Sequence, residues 1–433
     1  YMTIYSKVYK GVGIFIFVVG ILLIPFMPFI IKGDINIKEN LNLIYLLFLI
    51  DTSVSYFYSY KQSILNANQQ NYVISKIHTL CIIFMNMAQC ILLIAFKEYI
   101  IVLLIQIIFR IYENIAISKS VDKKFEYLND RSIDSKLSSE KKEQLFKNVY
   151  SMFLYKISGT IINSTDNIVI SVFVGLKYVG IYSNYLLIIS TIKTFLSYIF
   201  SSITASVGNL IASDEEDKKE FIFNEIFFLT FWIYGVSSIL IYMLINNFIL
   251  LWLGENYILT KFTVIIIIID FYTSGMQNAA TTYRDTTGLF GVGKYRPIIA
   301  SIINLAISIL LAPNLGIVGV LLGTIMSRVC VYFWFDPYVI YKYVFYKKVN
   351  KYFFNYIAKV ILVLIALMVT SLVSKIISID NLYIKFISDI GISIIIPNLI
   401  FYSIFKNDKY FKYIKDIIVD VYKNKPINIG KIY

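Results

Sequence analysis

Charge is what this 433-residue sequence has least of. Asp, Glu, Lys and Arg make up 15% of it, against roughly 25% in a soluble domain. That is too little polar surface to face water on every side, so a soluble globular fold is excluded. Histidine occurs once, as His78, too few for a His-based metal centre or a Ser/His/Asp triad. The three cysteines, Cys81, Cys90 and Cys330, sit inside apolar segments without Cys-x-x-Cys spacing, which supports neither a disulfide framework nor a zinc site. Beside Lys76, His78 reads as an interfacial residue at a helix end. One stretch, Gly288-Leu289-Phe290-Gly291-Val292-Gly293-Lys294-Tyr295, comes close to a phosphate-binding loop. It ends in Tyr where Ser or Thr must hold magnesium, and it joins two apolar segments rather than a strand to a helix. It reads as a tight turn with Lys294 as a topology anchor. No metal, no bound cofactor and no catalytic residue is expected; the chain does not read as an enzyme.

What is abundant is apolar. Hydrophobic residues make up 58% of the chain and the mean hydropathy is +0.71. They fall in blocks of about 20, the length that crosses a bilayer core. The blocks predict spans at 11–31, 41–60, 77–96, 98–118, 149–173, 178–206, 221–250, 260–280, 295–312, 315–345, 353–374 and 382–405, in an all-α membrane protein. Breakers such as Lys32-Gly33-Asp34, Gly254-Glu255-Asn256 and Pro313-Asn314 end them. Many of the 36 Tyr and 33 Phe flank the blocks, as interfacial aromatics do. The net charge of +13 would suit nucleic acid only if it formed one face, and it does not. With the start placed in the cytoplasm, 28 basic residues fall in cytoplasmic segments and 7 in external ones. This is the positive-inside pattern, with both termini cytoplasmic, and no nucleic-acid partner is expected.

Two stretches align at an offset near 219. Leu47-Phe48-Leu49-Ile50-Asp51 resembles Ile266-Ile267-Ile268-Ile269-Asp270, Arg110 matches Arg328, and Lys76 matches the Lys294/Arg296 turn. In the same order, with matching spans between them, they predict two related lobes, as transporters often have. The expected layout is an N-terminal lobe at 1–118, an inter-lobe linker at 119–147, a six-helix lobe at 148–346, two further helices within 347–406 and a cytoplasmic tail at 407–433. The first lobe holds four spans against six in the second, and the chain opens on Tyr1. The expectation is therefore 12 helices of 14, with two missing upstream.

Asn163-Ser164-Thr165-Asp166-Asn167-Ile168-Val169-Ile170, followed by Gly175-Leu176, Val179-Gly180 and Tyr182-Ser183-Asn184-Tyr185, resembles the seventh-to-eighth helix region of polysaccharide-transport proteins. Their superfamily also holds the multidrug and toxin exporters and the lipid II flippases. Leu315-Gly316-Ile317-Val318-Gly319-Val320, with Gly323-Thr324 and Ser327-Arg328, resembles the twelfth helix of the same family. The resemblance implies a two-lobe, MATE-like bundle in the bacterial cytoplasmic membrane. It implies a flippase that moves undecaprenyl-pyrophosphate-linked oligosaccharide to the outer leaflet for surface polysaccharide assembly, monomeric, and linked functionally to glycosyltransferases and a polysaccharide polymerase. An ion-coupled multidrug exporter of the same fold is the alternative. A membrane-bound polymerase or glycosyltransferase would need paired carboxylates in an outer loop, and the outer loops here are short.

Flipping such a lipid makes no covalent bond. It needs positive charge for phosphate and hydroxyls and amides for sugar, at a depth where charge is costly unless it faces water or a partner. Arg110, Arg328, Lys156 and Lys193 are the candidate phosphate contacts, since Arg grips phosphate with paired hydrogen bonds. The plainer readings are an Arg110–Glu113 pair along one helix and snorkelling of Arg328 to the interface. Lys156, Thr160, Asn163 and Asn167 share one helical face, with Asp166 beside it as a neutralising group or a holder of a coupling cation. Ser183, Ser190, Thr194, Ser197 and Ser201 form a second stripe. Asn163, Asp166, Asn167, Ser190 and Ser197 are the candidate polar lining, with interhelical hydrogen bonding as the alternative. Asp51 and Asp270 read as helix caps or gating groups, and Gly319-xxx-Gly323 as a close-packing motif.

Overall fold

The computed structural model describes residues 2–31, 39–68, 70–125, 164–211, 216–287, 289, 292, 293, 295–377 and 379–422. Among these residues the regular structure is all helical, as expected in hydrocarbon, where each backbone amide must find its partner within its own segment. The helices are α1 (Met2–Leu23), α2 (Leu41–Ala67), α3 (Asn71–Phe96), α4 (Tyr99–Lys124), α5 (164–173 in its described part), α6 (Leu176–Ile211), α7 (Glu216–Leu253) and α8 (Lys261–Met276). There follow α9 (Asn278–Thr287), α10 (Arg296–Leu315), α11 (Ile317–Ser327), α12 (Trp334–Tyr343), α13 (Asn350–Ile376), α14 (Leu382–Phe405) and α15 (Lys409–Tyr422). A π-helical turn, Arg328–Phe333, joins α11 to α12.

Among the described residues ten helical segments are long and apolar enough to cross a membrane, and the bent pair Leu41–Phe57 and Ser59–Asn66 makes an eleventh if it is one span. They coincide with eleven of the expected spans. The remaining one, 149–173, lies mostly outside the described residues. The protein is a multi-pass helical membrane protein.

Local sequence sets the ends. The side chain of Asn40 accepts from Asn42 N at 2.9 Å to cap α2, and that of Asn381 accepts from Tyr383 N and Ile384 N to cap α14. Such caps satisfy amides that have no partner within the helix. Gly254 breaks the chain after α7 with φ of +92°, a conformation that glycine tolerates. One expected breaker behaves differently. Pro313 lies inside α10, which runs on to Leu315 and stops only at Gly316, where φ is +59°. A proline near the last turn costs one hydrogen bond, and the positive φ is what turns the chain. The 119–147 segment also departs from a linker reading at its start, since α4 continues to Lys124; the rest lies outside the described residues.

The chain forms two compact units, Tyr1–Tyr150 and Ser151–Tyr433. In unit 1, α2 packs on α1 and α4, and α3 on α4. In unit 2, α10 packs on α11, α7 on α8 and α14, and α13 on α14. Its core is aromatic: Phe223, Phe227, Phe231, Tyr283 and Phe401 are fully buried. Phe223 meets Tyr283 edge-on at 5.2 Å, an arrangement favoured by ring quadrupoles. The Gly319-xxx-Gly323 motif does what small residues allow in membranes. A Cβ on Gly319 would stand 2.5 Å from the Leu311 carbonyl, and one on Gly323 2.8 Å from that of Asn304. These two glycines let α11 lie directly against α10.

Candidate functional site

The residues that the internal alignment matched form the same pair in both units. In unit 1, Arg110 Nε on α4 donates to Asp51 Oδ1 on α2 at 3.3 Å. In unit 2, Arg328 Nη2 donates to Asp270 Oδ1 on α8 at 2.7 Å. The partners are 59 residues apart in the first case and 58 in the second. Asp51 and Asp270 therefore cap nothing. Each is a counter-ion set well inside its helix, which corrects the reading of these residues as helix caps. Removing a charge from water costs several kcal/mol unless a partner is present, and the pairing supplies one.

Around this common pair the units differ. In unit 1, Gln106 Nε2 donates to Asp51 Oδ2 at 2.9 Å, and Glu113 Oε2 lies 3.9 Å from Arg110 Nη1. The pair along α4 expected from sequence is thus present, but as a longer contact beside the bond to Asp51. In unit 2 the third charged group is a cation: Lys193 Nζ on α6 is 3.6 Å from Asp270 Oδ2. Arg328 Nη1 also reaches Gln277 Oε1 at 3.4 Å. Its guanidinium, 20% exposed, is held by Asp270 of α8 and by Gln277, the residue that follows that helix, rather than snorkelling.

Beside Arg328 lies a cavity of about 450 Å³. Its wall is almost wholly apolar, with Ile268, Val363 and Leu367 among the residues of α8 and α13 that line it. Five buried polar atoms of its lining residues have no hydrogen-bond partner: Ser238 Oγ, Tyr272 Oη, Tyr356 Oη, Gln277 Nε2 and Arg328 Nε. Buried polar atoms are almost always satisfied, and these five belong to residues that line one void while showing almost no surface to it. All five can donate a hydrogen bond.

A second polar group joins α5, α10 and α11. Thr324 Oγ1 donates to Asp166 Oδ2 at 2.9 Å and accepts from Asn304 Nδ2 at 2.8 Å. Asp166 Oδ1, Asn167 Oδ1 and Asn304 Oδ1 remain buried and without hydrogen-bond partners. Unlike the cavity's donors, these three are acceptors, the ligand type a hard cation takes. Ser190, Thr194 and Ser197 form an exposed stripe on α6. Their hydroxyls bond to carbonyls of their own helix, Ser190 to Leu187 O at 3.0 Å and Ser197 to Thr194 O at 2.7 Å. Lys156 and Asn163 lie outside the described residues, as does Thr160 of the same stripe.

No protein-family model matches the chain, and no curated protein sequence matches it. A solved structure does, that of "Lipid II flippase MurJ, inward closed conformation". The TM-score is 0.66 at 16% identity, over 94% of this chain and 84% of the other. The fold is MATE-like. At that identity the MATE-like fold is what the likeness establishes, and the chemistry has to be read from this chain's own residues.

Sequence reasoning named Arg328, Lys193 and Asp166 as site residues, and the structure places each beside other polar groups of unit 2. It missed Tyr272, Tyr356, Gln277 and Ser238. Tyr and Ser are common throughout the chain, and nothing in their spacing distinguishes a cavity-facing hydroxyl from an interfacial one.

Proposed function

We propose that this protein is a flippase for lipid-linked oligosaccharide. It moves undecaprenyl-pyrophosphate-linked sugar units from the cytoplasmic to the outer leaflet of the bacterial plasma membrane by alternating access, with both termini cytoplasmic. The observation that carries the reading is the apolar cavity edged by Arg328 with five unpaired donors. An amphiphile with an anionic, oxygen-rich head is the ligand chemistry that satisfies both halves. Apolar walls take hydrocarbon, while a guanidinium, an amide and hydroxyls donate to phosphate oxygens. Charge-assisted bonds from Arg to phosphate are the strongest of these. Lys193 adds a second cation within reach of the same carboxylate. The similarity of fold to a lipid II flippase supports the class of cargo. The positive-inside pattern supports the orientation, and the expected lobes at 1–118 and 148–346, with two added helices within 347–406, give alternating access its two moving parts. Lys156 and Asn163 belong to the same proposed lining. The unpaired oxygens of Asp166, Asn167 and Asn304 are the proposed seat of a coupling cation.

An ion-coupled drug exporter of the same fold would share the apolar wall and the cation seat. The cavity's donor set separates the two readings, because a cationic drug gains nothing from four neutral donors and a guanidinium. Flipping of a fluorescent polyprenyl-pyrophosphate sugar in vesicles tests the proposal. Wild-type protein is expected to flip it, and Arg328→Ala to lose activity while still reaching the membrane. Equal flipping by Arg328→Ala and Arg110→Ala, each compared with wild type, would remove the phosphate role.

A further inference from the structure

The molecule's one histidine sits where its neighbours in sequence do not explain it. His78 on α3 places Nδ1 2.7 Å from Glu113 Oε1 on α4. The Glu113 side chain is only 11% exposed, and its other oxygen is the one 3.9 Å from Arg110 Nη1. Arg110 in turn donates to Asp51. His78, Glu113, Arg110 and Asp51 thus form one chain of contacts from α3 through α4 to α2. Cys81 on α3 lies within electrostatic reach of Glu113, and Lys76 on α3 and Tyr112 on α4 are the titratable neighbours in sequence. Lys61 of α2 is held elsewhere, 2.6 Å from Asp122.

The charges of this chain do not balance while the imidazole is neutral. Asp51, Glu113 and Arg110 then sum to one net negative charge, and a proton on His78 brings the sum to zero. An uncompensated charge within a span is expensive, and imidazole is the side chain whose ordinary titration falls between pH 5 and 8. Among the described residues, unit 2 has no such device. At the offset of 218 that relates Arg110 to Arg328, Glu113 corresponds to Val331 and His78 to Arg296. Asp270, Arg328 and Lys193 there sum to one positive charge instead.

We infer that His78 and Glu113 form a proton-binding site that sets the net charge around Arg110 in unit 1. The neutral imidazole carries its proton on Nδ1 and donates it to Glu113. The second proton adds at Nε2, and the group becomes an ion pair with Glu113. Arg110 is then left to Asp51 and to whatever anion approaches it. The consequence for transport rests on the flippase reading: a pyrophosphate head meets a net negative cluster while the imidazole is neutral and a neutral one once it is protonated.

The test uses the full chain in nanodiscs with ¹⁵N-labelled histidine, which yields a single residue's signals. The neutral wild-type imidazole is expected in the Nδ1–H form, less common in water, and the ring that has taken up a second proton as imidazolium. Glu113→Leu is expected to return the neutral ring to Nε2–H. An Nε2–H ring in the wild type, or no response to Glu113→Leu, would overturn the inference whether or not the protein flips lipid. In vesicles, flipping of a polyprenyl-pyrophosphate probe is expected to be several-fold faster at pH 6 than at pH 8. His78→Gln, a neutral amide that also covers a Glu113→Leu chain that does not fold, is expected to lose that dependence. An unchanged pH profile in His78→Gln would sever the link to Arg110. Absence of flipping in every variant would count against the flippase reading alone, since the tautomer result stands by itself.

Discussion

Unit 1 and unit 2 each set one arginine against one aspartate, yet they surround the pair with opposite charge. In unit 1 the third partner is a carboxylate, Glu113, bonded to an imidazole. In unit 2 it is an ammonium, Lys193, and an apolar-walled void whose lining residues carry buried unpaired donors opens beside Arg328. A shared pair is what a repeat preserves, because each half must neutralise its own buried guanidinium. The groups around that pair are free to diverge: unit 2 sets a second cation beside it, unit 1 a carboxylate and an imidazole.

The comparison breaks hardest at a charge cluster that unit 1 holds only in a weaker form. Arg284 and Arg296 both contact Asp336 Oδ1, Arg284 at 2.6 Å, with all three side chains 5–6% exposed. Arg296 also lies over the rings of Tyr332 and Phe335, at 4.9 and 5.4 Å. In unit 1, Ser118 stands at the matching offset and Lys61 pairs with the partly exposed Asp122. Asp336→Ala removes the carboxylate that two buried guanidiniums share and is expected to destabilise the protein by about 3–5 kcal/mol; Asp122→Ala, at a partly exposed pair, is expected to cost about 1 kcal/mol. Thermal unfolding in detergent measures both, and equal effects would erase the distinction.

Next comes the substrate. Losing charge-assisted bonds is worth roughly 1.5–3 kcal/mol, so Arg328→Ala is expected to weaken binding of a polyprenyl-pyrophosphate probe by about tenfold to a hundredfold. Fluorescence titration reads this directly. Lys193→Gln, which removes one cation and leaves the Arg328–Asp270 pair, is expected to weaken it by about threefold, on the order of 0.7 kcal/mol as for a partly screened charge. The smallest effect sharpens the contrast most. Tyr356→Phe deletes one orphaned hydroxyl without altering the cavity's wall and is expected to leave the melting temperature unchanged while weakening probe binding about twofold, at the low end for a single hydrogen bond. A change in stability with no change in binding would make Tyr356 a packing residue only.

Much of this was legible in the order of residues. Blocks of apolar residues separated by Gly and Lys defined the spans, because hydrocarbon leaves the chain few other ways to satisfy its amides. The repeat was visible in Asp51, Asp270, Arg110 and Arg328, but not their partnership. An offset relates equivalent positions and says nothing of which residue meets which across nearly 60 intervening positions. From sequence Arg110 reads as a phosphate contact, with Glu113 as the plainer alternative because that contact lies within one helix. The bond to His78 was invisible for the same reason that the bond to Asp51 was: both depend on how α2, α3 and α4 are rotated about their axes. The cavity depends on the mutual rotation of α7, α8 and α13, and their hydrophobic faces alone do not reveal it.

The π-helical turn at Arg328–Phe333 has a consequence for how this protein tolerates change. Such a turn holds one residue more than an α-helix would use for the same bonds. An α-helix advances about 100° per residue, so one residue too many would swing α12 by more than a quarter of a revolution if the wide turn did not take it up. With it taken up here, Arg328 upstream reaches Asp270 while Asp336 downstream reaches both of its arginines. Length within this turn is therefore less tightly constrained than elsewhere in α11 and α12, and a chain shortened by one residue there would close into plain α-helix with both ends still in place.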